Sequence, residues 1–108
     1  DAIMKIAFVV KVVSSENNLL GGYTREVDMP FTPIIGMKIE GGSSTFLWET
    51  YTGDKLAPRI QDIVYNIDEE QFFCLFVVDQ FLSNSFWCKI PDGDLRTSFE
   101  LSQFEVDG

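Results

Sequence analysis

The chain has 108 residues and no histidine. That single absence removes the Ser-His-Asp and Cys-His arrangements, His-ligated metal sites and the usual general base near neutral pH. Two cysteines, Cys74 and Cys88, cannot complete a structural zinc site without histidine. Gly21-Gly22, Gly36 and Gly41-Gly42 fit neither phosphate-binding fingerprint. Asp92-Gly93-Asp94 opens like a calcium loop. Counted from Asp92, however, the sixth position is Thr97 where glycine is needed and the twelfth is Gln103 where glutamate is needed. A carboxylate pair could still support glycoside hydrolysis. Among 17 acidic residues such pairs arise by chance, and the reading is that the chain is not an enzyme. No cofactor and no metal are expected.

The chemistry that remains is binding. The net charge is −9. Residues 1–60 hold seven acids against six bases, whereas residues 61–108 hold ten acids against Lys89 and Arg96 alone. Such a field opposes a phosphate backbone, which rewards Lys and Arg, so no nucleic acid is expected. It also opposes an anionic membrane surface. It favours a cationic partner protein and fast encounter with it. The candidate partner contacts are Asp62, Asp68, Glu69, Glu70, Asp79, Asp92 and Asp94, with Trp87 as an aromatic anchor. Phe31 stands between Pro30 and Pro33 in a stiff loop and is read as a plug for one end of the fold.

These residues need a frame, and the sequence describes one rich in strands. Residues 72–78, Phe-Phe-Cys-Leu-Phe-Val-Val, are seven apolar residues in a row. The run is too short for a membrane span, and its aromatic and β-branched content favours a strand covered on both faces. It is placed at the centre of the core. Residues 3–13 and 23–29 alternate and are read as a long hairpin joined by turn chemistry that includes Gly21-Gly22. Further strands are read at 37–40, 45–52, 59–67 and 86–90. A bulge near Gln61-Asp62 reconciles the mixed spacing of the 59–67 segment. Residues 95–106 lean to a strand, with a short helix as the alternative. The sum is a mainly β, antiparallel sandwich or small barrel of about seven to eight strands, with room for one short helix. It forms a single domain over residues 4–108. Cys74 and Cys88 fall on strands read as neighbours, yet direct cross-strand bridges are often strained, so both are expected to be reduced and buried.

Residues 26–39, Glu-Val-Asp-Met-Pro-Phe-Thr-Pro-Ile-Ile-Gly-Met-Lys-Ile, followed later by Ile63-Val64-Tyr65, resemble a pattern in short bacterial β-domains. There a strand runs into Pro-Phe-x-Pro-x-x-Gly and on into another strand. In size, acidity and lack of catalytic residues the chain also resembles the small immunity proteins of bacterial toxin–immunity systems, such as those of contact-dependent growth inhibition. That resemblance implies a protein-binding inhibitor that masks the active site of a cationic, nuclease-type toxin. The alternative is a small-ligand-binding or structural β-barrel domain. Met4-Lys5 reads as a native start, with residues 1–3 as an added remnant. No basic leader precedes an apolar run, and the expected compartment is the cytoplasm.

Overall fold

The computed structural model describes residues 3–41, 46–101 and 104. Its frame is one open five-stranded sheet made by β1 (Met4–Val13), β2 (Leu19–Met29), β3 (Asp62–Asn66), β4 (Gln71–Val78) and β5 (Cys88–Lys89), in the order β3-β4-β1-β2-β5. β1 and β2 form the predicted hairpin, with Met4 facing Met29 and Val12 facing Gly21. β3 and β4 form a second antiparallel hairpin, whereas β4 lies parallel to β1. Beyond β5 the chain makes one 3-10 turn, Asp92–Asp94, and a helix, α1 (Leu95–Leu101). No helix among the described residues is long and apolar enough to cross a membrane.

Period-two alternation gives the sheet two faces. On one face Ile6, Phe8, Val10 and Val12 of β1 meet Cys74, Phe76 and Val78 of β4, and irregular chain from residues 30–41, 46–60 and 80–87 covers them with Leu47, Trp48, Ile60, Leu82 and Trp87. Trp48 sits 4.8 Å from both the Phe76 and Trp87 rings, measured between centroids. The indole N–H groups do not go unmet: Trp48 donates to Ile39 O and Trp87 to Leu47 O, both at 2.7 Å. On the opposite face Val9 is covered by Phe99 of α1 and by Phe104.

The mainly β reading holds, but three parts of the predicted architecture are corrected. First, the sheet is open and mixed, and the described residues form five strands, not an antiparallel sandwich or barrel of seven to eight. The segment between β2 and β3 holds Pro30, Pro33 and Pro58, which cannot donate to a ladder. Its described residues make isolated bridges, Lys38 to Arg59, Glu49 to Lys55 and Thr50 to Leu82. Part of the predicted 45–52 strand and the turn before it lie outside the described residues. Second, the centre belongs to β1, whose residues from Ile6 to Val13 are all buried. β4 lies beside it with Phe73, Leu75 and Val77 only half-buried. Third, residues 95–101 are helix. Leu95 and Phe99, four apart, face the sheet together, and the acids of the preceding 3-10 turn suit a helix start. Residues 102–103 and 105–106 of that predicted segment lie outside the described residues.

Gly21 and Gly22 belong to β2 and not to a turn. A Cβ at Gly21 would stand 2.7 Å from the Phe81 ring, and one at Gly22 would stand 3.1 Å from both Phe99 and Val10 O. Their bare backbone lets an aromatic ring close on each face of the sheet. Near the start of β3, the Gln61 N–H donates to Leu75 O, and Leu75 is also the register partner of Asp62. Two residues thus address one, as in the bulge expected there.

Candidate interaction site

The predicted contact residues fall into separate places. Asp68, Glu69 and Glu70 form the exposed turn between β3 and β4. The turn is held by Asn66, whose Oδ1 accepts the Glu69 N–H at 2.9 Å. Glu70 closes it at φ 54°, a left-handed conformation costly for a non-glycine residue. Asp62 is exposed at the start of β3, and its Oδ1 accepts the N–H of Ile63 at 2.9 Å. Asp79 follows the far end of β4, an eight-residue strand. At ~3.3 Å per residue it lies on the order of 30 Å from Glu70. Asp92 and Asp94 are exposed in the 3-10 turn, tied to the Gly22 end of β2 by the Ile90 N–H to Gly22 O bond. Only Asp68, Glu69 and Glu70 are contiguous.

Trp87 is corrected outright. It is 5% exposed, packed on Trp48, Phe8 and Phe86, and its one polar atom is satisfied inside. It belongs to the core and cannot anchor a partner. Phe31 does not plug an end of the fold either: Pro33 is buried while Phe31 stays 47% exposed.

What the structure does bring together is an apolar strip along the outer edge of β3. Among the described residues no strand lies beyond β3 in the sheet. Tyr65 is 50% and Ile67 79% exposed, and the Tyr65 ring stands edge-on to Phe72 at 4.9 Å. Upstream, the Gly36 N–H donates to Ile60 O and the Ile60 N–H to Met37 O, which sets the exposed Ile34 and Ile35 beside the same edge. A shallow groove of about 500 Å³ runs along Val64, Tyr65, Asn66, Ile67 and Asp68. At the upstream end Lys38 and Arg59 are exposed and bridged to each other, and Arg59 Nη1 donates to Gly36 O at 2.9 Å. The edge therefore has an apolar middle, a basic end and an acidic end. The alternation of Ile63, Tyr65 and Ile67 was visible in the sequence. That the strand is an edge, and so leaves Tyr65 uncovered, was not.

Two other features bear on chemistry. An apolar cleft of about 330 Å³ is lined by Phe8, Val27, Met29, Ile39, Leu47 and Phe86, with Asp28 and Glu40 at its border. Among the described residues, the two groups whose acidity is clearly displaced are interior. Burial pushes the Cys74 thiol up to about 12, and burial raises the Tyr23 hydroxyl against the lowering effect of its hydrogen bond to Leu82. The strands carrying Cys74 and Cys88 are not neighbours, since β1 and β2 lie between them. Both thiols are free, and Cys88 is exposed where it was expected to be buried. Among the described residues no group of three or more Cys, Asp or Glu could hold a metal ion. No family model matches the chain, and no curated protein and no solved structure was found to match it.

Proposed function

We propose that this chain is a protein-binding inhibitor of the immunity type, acting in the cytoplasm by covering the active site of a cationic, nuclease-type toxin domain. The observation that carries the reading is the β3–β4 hairpin tip. It presents Asp68, Glu69 and Glu70 on a turn locked by Asn66, beside the exposed Tyr65 and Ile67. Charge for steering and an apolar anchor for retention are the two things such an interface needs. The tip is preorganised, so little ordering is lost on binding.

The test is association kinetics with a basic nuclease domain, measured for the native chain and for Glu69→Lys with Glu70→Lys. Charge reversal is expected to slow association by about tenfold or more. Tyr65→Ala is expected to act mainly on dissociation. Binding that ignores all three substitutions would remove the tip from the interface. The 330 Å³ cleft supports a second reading, a small apolar ligand held against Phe8 and Leu47. Saturable binding of a hydrophobic dye, lost in Leu47→Arg, would favour it.

A further inference from the structure

The free edge of β3 is chemically self-complementary. Asp62, Val64 and Asn66 turn their backbone groups toward β4. Ile63 turns outward, as its N–H shows by reaching the Asp62 side chain instead of β4. Alternation in an antiparallel ladder puts the N–H and C=O of Tyr65 on the same outward side. We propose that a second copy of this chain pairs here, β3 against β3, antiparallel and centred on Val64. This goes beyond the inhibitor reading and does not depend on it.

The register is fixed by what it places face to face. Val64 meets Val64 of the second copy. Ile63 meets Tyr65 of the second copy as a hydrogen-bonded pair, and Asp62 meets Asn66, whose amide can donate to the carboxylate. No like charges are opposed within the strand. The slot has a natural end, because Gly36 and Met37 already occupy the outer side of Ile60. Beyond the paired strands, the turn that follows β3 in the second copy, Asp68 to Glu70, lies toward the exposed basic end formed by Arg59 and its bridge partner Lys38. The two-fold axis repeats that match, acidic end on basic end, so the contact closes as a dimer and does not propagate. Exposed Ile34, Ile35 and Ile67 are positioned to be covered beside it.

The uncovered stretch of β2 on the opposite side of the sheet offers no such match. The half of β2 beyond β5 carries Arg25, Glu26 and Asp28, the charged pattern that keeps edges apart. On β3 the shield is a single carboxylate, Asp62 on the Ile63 N–H, which pairing would replace with the C=O of Tyr65.

Sedimentation equilibrium of the protein alone, from micromolar to millimolar at physiological salt, reads the dimer directly. Tyr65→Pro removes an outward N–H without touching the β4 ladder, and is expected to leave a folded monomer. Lys38→Glu and Glu69→Lys are each expected to weaken the dimer about tenfold, and the double variant to recover most of that loss. The charge swap needs no proline, so it decides the matter even if Tyr65→Pro does not fold. A native chain that stays monomeric throughout, or a dimer that none of these variants disturbs, overturns the proposal.

Discussion

Tyr23 shows how one residue can close a loop onto the sheet. Its hydroxyl donates to Leu82 O at 3.2 Å and accepts the Leu82 N–H at 3.1 Å, with both residues buried. Tyr23→Phe would leave a buried N–H and C=O without partners, a cost of about 1–3 kcal/mol in chemical denaturation. The thiols divide by burial. Cys88 is expected to react with a thiol reagent in the native state and Cys74 only after unfolding. The same burial has a pH signature. Native Cys74 keeps its proton up to about 12, while an unfolded thiol loses it near 9.0, so the native state binds more protons between those values. Stability should be fully present below pH 9.0 and fall as pH rises toward 12, and the raised Tyr23 hydroxyl adds to the fall at higher pH. A flat stability profile across that range, measured by denaturant midpoint, would contradict the burial of Cys74.

At the scale of elements, the β1–β2 hairpin was legible because alternation is local, whereas the second hairpin was misassigned: residues 72–78 were read beside 86–90 and in fact pair with β3. Residues 3–13 and 23–29 carry their own period, and so does the Ile63-Tyr65 pair. The parallel contact between β1 and β4 was not legible. It joins residues 66 apart, such as Ile6 and Phe72, and strand periodicity says nothing of partner or direction. The Gly21-Gly22 pair misled for a physical reason: glycine marks turns and close approaches alike, and here both faces of β2 need the space. Gly22→Ala is therefore expected to lose about 1–3 kcal/mol by overpacking, since the backbone oxygen of Val10 cannot step aside. The helix was misread because Phe99 and Leu101 alternate while Leu95 and Phe99 fit a helical turn, and seven residues cannot separate the two periods. Phe99 is fully buried under α1 and Phe76 fully buried on the other face. Phe99→Ala and Phe76→Ala should each cost roughly 3–5 kcal/mol. A neutral Phe99→Ala would mean that α1 does not cover the sheet. The candidate site was only half legible: the acidic turn could be read, but its apolar companions Tyr65, Ile67, Ile34 and Ile35 become a surface only once β3 is known to be an edge.

At the scale of the molecule, the two proposed contacts respond to salt with opposite sign. Each chain carries −9. Two chains with centres about 27 Å apart, twice the 13.5 Å radius of gyration, repel by on the order of 5 kcal/mol when the Debye length is ~30 Å. The repulsion falls to about 1 kcal/mol when that length is ~10 Å. Each exposed pair between Glu69 and the Lys38–Arg59 end contributes only about 0.2–1 kcal/mol, so the long-range term wins at low salt. Raising salt from 0.01 M to about 0.1 M should therefore strengthen the dimer. A cationic partner should behave the other way, since its encounter with the acidic half is steered by the field that salt removes. Both contacts use the β3 edge and the turn after it, so a tightly held cationic domain is expected to convert the dimer into a one-to-one complex. Light scattering of the mixture reads that exchange. A ternary complex with two copies of this chain still paired would show that any surface for the cationic domain lies elsewhere, and Phe31 with the exposed acids Asp79, Asp92 and Asp94 would be the next residues to change.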